Sequence, residues 1–322
     1  IMLLNWKVGF VIIIFQYVLF RLILKYRAKG LEGVWWGVLF SFITKGLRML
    51  ENIIQGAKNW RPILTAISFD TKGNCHEKIS YIAYLIASYK GIVNLNIITS
   101  KEPLEIDYCD AAIKTSIVQA SDISEAALSI VQMNNNINLA PNTFLLEYSK
   151  KVDIVKIIKT ILRLNRNILI LKNGGKFINQ GNVDIWWRGE KNGNLMIMIA
   201  YILNSSLKSD ENRIFHLRVI RKLDPNEDVN SAKKEMALLL EKARLSGEIL
   251  LLESSDEKFI DTVCATSKNS DLLLMGLPGN YADKESRSIF NLNEYFFHKE
   301  INNYDNLPAI LFVRSSQLIE LI

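Results

Sequence analysis

Cysteine is scarce in this chain. Only Cys75, Cys109 and Cys264 occur among 322 residues, and none forms a CxxC pair. That excludes a disulfide framework and a cysteine-based zinc site, and it suits a reducing compartment. Histidine is equally sparse, with His76, His216 and His298 far apart. His76 beside Cys75 is half a metal pair without a second half, so it reads as a surface turn. His216 lies between Phe215 and Leu217 in a strand-like run and reads as structural. Glycine-rich phosphate loops are missing too. There is no GxxxxGK[ST], and no GxGxxG follows the first strand-like run, where SFDTKGNC holds only Gly73. Gly174-Gly175-Lys176 has the wrong spacing and reads as a flexible turn. Asp70 ends that first run, where α/β sheets place ligand groups, but it reads as a turn or cap residue. GLPGN (276–280) would allow close backbone approach to an anion, yet it too reads as a turn. No GxSxG occurs, and no serine has a paired base nearby. The sequence therefore predicts no catalytic residue, no metal and no cofactor, and a protein that is not an enzyme.

Dense charge is also absent. Lys and Arg number 39 against 33 Asp and Glu, for a net charge of +6 and a pI near 9.0. These cations are scattered, without a basic run or an aromatic platform, so nucleic acid is not an expected partner. Hydrophobic residues make up 49% and charged residues 22%, a globular balance.

What the chain has in abundance is an apolar beginning. Residues 3–24 read LLNWKVGFVIIIFQYVLFRLIL, broken only by Asn5, Lys7, Gln16 and Arg21. A bilayer core needs about 20 helical residues. Lys7 and Arg21 lie near the ends, where long side chains snorkel, and Trp6 and Tyr26 flank the run. Neither the short core nor the cleavage site of a signal peptide is present. The run predicts a membrane helix over 1–29. Arg21, Lys25, Arg27 and Lys29 follow it while only Lys7 precedes it, which places its far end on the cytoplasmic side. Residues 30–58 predict a second, amphipathic helix, with Trp35, Leu39, Phe42, Leu50, Ile53 and Ile54 roughly on one face. Lys45, Arg48 and Glu51 interrupt it too often for a span. It is expected to lie at the membrane face, pack on a partner copy, or pack on the domain that follows. The chain opens on Ile1 rather than Met, so a longer native chain is considered.

From residue 63 the pattern changes to strand-like and helical stretches in alternation. Strands are predicted at 63–69, 93–99, 113–119, 143–148, 167–171, 183–187, 215–220, 248–253, 271–277 and 308–314, the last closing the sheet. Helices are predicted at 77–90 with Gly91 as cap, from Ser121 or Asp122 to 133, at 151–163, 195–203, from Asn230 or Ser231 to 245, and at 256–267. Apolar strands between helices imply an α/β fold with a mainly parallel sheet covered on both faces. Two halves are expected, 59–172 and 173–322, joined by KNGGK (172–176) and NQGN (179–182).

Several stretches, in order, resemble the C-terminal part of the cation–chloride cotransporters. LNWKVGF (4–10) resembles the start of that family's last membrane helix. AKNWRP (57–62) resembles its VKNWRPQ segment, APNTFLLEY (140–148) its KPNTVLLGW, and VDIWWRGEKNGNLMIMIAYIL (183–203) its IDVWWLxDDGGLxLLIPYLL. SDLLLMGLPG (270–279) and LPAILFVR (307–314) match in type and position. Asn59, Trp60, Arg61 and Pro62, with Pro141, Asn142 and Thr143, and Asp184, Trp186 and Trp187, carry the likeness. Pro62 suits the first position of a strand because it has no N–H for the ladder. Some loops depart: DDGG is EKNG (190–193) here, and 100–112 is short for the family's helix between the second and third strands. The family's ion sites lie among membrane helices that this chain lacks, so no ion-binding residue carries over.

The resemblance implies a last membrane helix, a linker helix and a cytoplasmic regulatory domain of two universal-stress-protein-like α/β halves. It also implies a homodimer formed through the linker helix and that domain. Three alternatives are a membrane-tethered nucleotide-sensing α/β domain, the tail of an amino-acid permease, and a tethered enzyme, for which no catalytic constellation is present.

Overall fold

The computed structural model describes residues 6–25, 31–51, 60–70, 77–88, 91–100, 113–134, 140–174, 181–207, 215–253, 257–277, 294–305 and 307–318. They fall into two units, 1–54 and 55–322.

The first unit is two helices, α1 (Trp6–Lys25) and α2 (Leu31–Glu51). The 20 residues of α1 extend about 30 Å at the helical rise. Its described side chains cover 9–21, and from Phe10 to Phe20 every apolar one is exposed. Among the described residues no helix is long and apolar enough to cross a membrane. In α2, Trp36, Val38, Leu39, Phe40, Phe42 and Ile43 are all exposed. At about 100° per residue these positions share one broad arc of the helix, opposite Gly37, Ser41, Thr44 and Lys45. The side chains of Trp35 and Leu50, and all of Ile53 and Ile54, lie outside the described residues.

The second unit is built on one ten-stranded sheet. Its strands are β1 (Ile63–Asp70), β2 (Ile92–Thr99), β3 (Ile113–Gln119), β4 (Thr143–Glu147), β5 (Asn167–Lys172), β6 (Asn182–Trp186), β7 (His216–Lys222), β8 (Glu248–Leu252), β9 (Leu272–Gly276) and β10 (Ala309–Arg314). Their order is β3-β2-β1-β4-β5-β10-β9-β6-β7-β8. The first five strands and the last five thus repeat one doubly wound order. Every neighbouring pair is parallel except β5 and β10, the fifth strand of each half, which run antiparallel from Ile310 opposite Lys172 to Arg314 opposite Ile168. The expected mainly parallel α/β sheet is therefore present. β10 does not close it, as the sequence reading expected; it sits at the centre, and the edges are β3 and β8. Strand periodicity cannot reveal this, because a strand buried on both faces reads the same at any interior position.

Helices cover both faces. One face packs against α3 (Glu77–Ser88), α6 (Glu190–Leu207) and α7 (Val229–Lys242), through residues such as Ile82, Leu203 and Met236. The other packs against α4 (Ile123–Asn134), α5 (Ile154–Arg163), α8 (Phe259–Thr266) and α9 (Glu294–Asn302), through Val131, Ile158, Val263 and Phe297. Alternate residues of one strand feed opposite layers: Leu311 and Val313 join the first, Ile310 and Phe312 the second. This is why the strands read as unbroken apolar runs.

Caps fix the helix starts. Asp122 Oδ1 accepts from the N–H groups of Ser124 and Glu125 at 2.9 and 3.0 Å, which makes it, rather than Ser121, the cap of α4. Asp153 accepts from Lys156 N to start α5. Asp228, not Asn230 or Ser231, caps α7 by accepting from Ser231 N at 2.8 Å. α6 begins at Glu190, five residues before its expected start, so the EKNG stretch is its first turn rather than a loop. Of the residues from Gly193 to Ala200 all are buried, and a helix hydrophobic all round shows no stripe from which to place its end. α9 is absent from the sequence reading.

Candidate functional site

Open α/β sheets take ligands at the carboxyl ends of their strands, where the strand order reverses. In the first half that place lies between β1 and β4. There the structure holds a cleft of about 200 Å³, lined by Phe69, Glu147, Tyr148, Ser149, Lys172, Asn173 and Asp305. The sequence reading named none of its polar residues. The signal was a charged residue ending an otherwise apolar strand, Glu147 in TFLLE and Lys172 in NILILK.

Both charges are buried and engaged. Glu147 is 3% exposed. Its Oε2 accepts from Ser68 Oγ at 2.7 Å and from Phe69 N at 3.4 Å, and its Oε1 accepts from Asn173 Nδ2 at 2.7 Å. Lys172 Nζ donates to the Tyr304 carbonyl at 3.0 Å and pairs with Asp305 Oδ1 at 3.0 Å. Tyr148 Oη lies 2.7 Å from His298 Nδ1 on α9. Burial, with a smaller push from Asp305, raises the Tyr148 phenol to about 12, so it keeps its proton at neutral pH. Burial likewise raises Tyr304 to about 12. Lys78 on α3 donates to the Gly174 carbonyl at 2.6 Å.

These contacts join loops of the first half to the segment that leads into β10. No nucleophile and base are paired among them. Ligand pockets for drug-sized molecules run to about 300–1,000 Å³, so the described cleft suits water or a small polar molecule. Among the described residues no group of three His, Cys, Asp or Glu side chains is placed to hold a metal.

The motif residues serve other ends of the sheet. Asn142 Nδ2 donates to the Arg61 carbonyl at 2.7 Å, and its Oδ1 accepts from Ile63 N at 3.1 Å and Thr143 Oγ1 at 2.9 Å. The Pro62 carbonyl accepts from Ile92 N. A side chain at Gly91 would meet Pro62 Cγ at 2.9 Å and the Ile86 carbonyl at 2.7 Å. The NWRP and PNT stretches, 79 to 81 residues apart, thus form one clasp at the amino edge of β1 and β4. Arg61 Nη1 donates to its neighbour's carbonyl, that of Trp60, at 3.1 Å. Asn59 lies outside the described residues, and Trp60, half-buried, packs on the core. Pro141 precedes the clasp asparagine.

Asp184 is a structural anchor. It is 1% exposed. Arg218 grips it with two hydrogen bonds of 2.8 and 2.7 Å, Ser267 Oγ donates at 2.6 Å, and Ser270 Oγ donates as well. The hydrogen bonds to Asp184 hold the Arg218 guanidinium more firmly protonated. Trp186 Nε1 donates to Ser267 Oγ at 3.0 Å. Trp187 lies under the Arg221 guanidinium, 4.9 Å from its ring centre, and a side chain at Gly193 would meet Trp187 Nε1 at 2.2 Å. The KNGG turn is not a loose connector at its start. Asn173 binds Glu147, and a side chain at Gly174 would meet the Pro308 carbonyl carbon at 2.2 Å.

His216 is exposed at the start of β7, and Cys264 on α8 has its thiol raised by burial. Cys75, His76, Cys109, Gly175, Lys176, residues 179–180, residues 278–280 and the Asp70 side chain lie outside the described residues.

No family model matches the chain, and no curated protein matches it. Solved structures do. A universal stress protein from Archaeoglobus fulgidus shares 12% identity over 77% of this chain and 95% of its own, at a TM-score of 0.46. A putative universal stress protein from Pseudomonas aeruginosa shares 11% over 80% and 95%, at 0.47. A functionally unknown protein from Pseudomonas aeruginosa shares 10% over 80% and 94%, at 0.44. At this level a likeness says nothing of what the chain does.

Proposed function

We propose that the chain is the C-terminal part of a membrane secondary transporter related to the electroneutral cation–chloride cotransporters. On this reading residues 1–29, whose described part is by itself not long and apolar enough to span, would be its last membrane helix, residues 30–58 the linker, and residues 59–322 a cytoplasmic regulatory domain that helps hold two protomers together. The observation that carries it is the ordered set of family-like stretches. The clasp adds support, because NWRP and PNT, two of those stretches, meet in space although about 80 residues separate them. The apolar residues exposed from Phe10 to Phe20 support a helix that lies against lipid or protein rather than water. The regulatory mechanism would be mechanical, with the ten-stranded sheet anchored at its first strand by the clasp on Arg61 and Pro62. The test is chloride-dependent cation uptake in cells with and without the gene. Loss of the chloride-dependent part is expected, and unchanged uptake would contradict the reading.

The second reading is a membrane-tethered nucleotide-sensing domain. What favours it is the doubly wound strand order, repeated in each half, with its crevices at the carboxyl edges. Calorimetry with ATP separates the two readings.

A further inference from the structure

Because β5 and β10 are antiparallel, the amino edge of the first half and the carboxyl edge of the second are one edge of the sheet. The NWRP–PNT clasp therefore lies on the same edge as the second half's own crevice, between β6 and β9. Hydrogen bonds join them. Asn167 N donates to the Asn142 carbonyl at 3.0 Å, beside the bond from Asn142 Nδ2 to the Arg61 carbonyl. Asn167, 5% exposed, offers its Oδ1 to Ser316 N at 2.9 Å, Ser316 Oγ at 3.1 Å and Ser315 Oγ at 3.4 Å. Ser315 N in turn donates to Asn192 Oδ1 at 2.9 Å. Asn192 stands in the first turn of α6, and its Nδ2 lies 3.4 Å from where a side chain at Gly276, the last residue of β9, would begin. The far end of the chain of bonds is thus the strand-order reversal of the second half.

We propose that this line, Arg61–Asn142–Asn167–Ser316–Ser315–Asn192, is a conformational strap. It makes the hold on residues 61–63 depend on the state of the α6 first turn and the β9 end. An event at the second half's crevice would reach the entry to β1 through it, by way of the bond from Asn167 N to the Asn142 carbonyl at the start of the β4–β5 pairing. This deepens the regulatory reading and takes its biological meaning from that reading, but its test needs no transport. Ser315 Oγ also donates to the Gln317 carbonyl at 2.5 Å, so the links that matter most are those through Ser315 N and Asn167 Oδ1. Asn167 and Ser315 are buried, so a broken link leaves a polar atom without water to replace its partner.

The experiment is hydrogen exchange on the full chain in lipid nanodiscs, read at peptides covering 60–66, 91–95, 216–222 and 313–317. Asn192→Ala should raise exchange at Ile63 and Ile92 about tenfold, although Asn192 touches neither, and leave β7 unchanged. Asn192→Asp keeps an acceptor for Ser315 N and should restore the parental pattern. Asn167→Ala should reproduce the Asn192→Ala pattern. If the Asn192→Ala effect stops at 313–317 and α6, or if Asn192→Asp behaves like Asn192→Ala, the strap is wrong. Either failure leaves the transporter reading standing, since that reading depends on flux.

Discussion

At the scale of single residues, the account turns on charges that strand ends have pulled out of water. Glu147 needs three acceptor positions at once, for Ser68, Phe69 and Asn173. Glu147→Gln replaces one accepting oxygen with a donor that faces other donors. The expected loss is about 2 kcal/mol of stability by denaturant titration; no change would mean that the carboxylate is idle. Asp184→Ala strands Arg218 half-buried, and a loss of roughly 3–5 kcal/mol is expected, as for other buried ion pairs cut on one side. The two raised phenols give a pH prediction. A folded pKa near 12 against about 10 in the unfolded chain means that the folded state binds more protons between these values. Their contribution is thus fully present below pH 10 and lost as pH rises towards 12. Absorbance near 295 nm should show Tyr148 and Tyr304 ionising late among the described tyrosines, and Tyr148→Phe should lower that late amplitude by one tyrosine.

At the scale of elements, what could be read from the sequence followed from periodicity, and what could not followed from burial. The helix α5 was legible because Ile154, Val155, Ile157, Ile158 and Ile161 face the sheet while Lys156 and Arg163 do not. The start of α6 was not, since a helix buried all round carries no stripe. The short α9, whose buried Phe297 and Ile301 make only one turn of an apolar stripe in nine residues, is too short for periodicity to reveal it. The motif residues were read as a junction; the structure places Arg61, Pro62 and Asn142 in a clasp at the amino ends of β1 and β4. The cleft stayed hidden because its charges are 25 residues apart in the chain and meet only when β4 and β5 pair. The packing of α6 on its entry turn makes a test of the element: Gly193→Ala drives a methyl into Trp187. It should cost about 1–3 kcal/mol, measured by thermal melts. An unchanged melting point would mean that Trp187 is free to move aside.

At the scale of the whole molecule, a repeated strand order and an antiparallel seam make two halves into one continuous sheet, and the separate first unit has two helices with much exposed apolar surface among the described residues. Such surface calls for a lipid or protein partner. On the dimer reading, Phe42→Asp on α2 places a charge in that partner contact, and it should shift the native protein towards a smaller assembly by cross-linking; an unaltered pattern would count against α2 as a contact. The central claim is that this chain is the cytoplasmic end of a larger transporter. The most direct measurement is the size and location of the native protein, detected with an antibody against residues 150–322 in fractionated cells. The account predicts a membrane-bound band of roughly twice the 36.8 kDa of this chain, room for about ten more helices of some 20 residues with their loops. A soluble band at 36.8 kDa would contradict it.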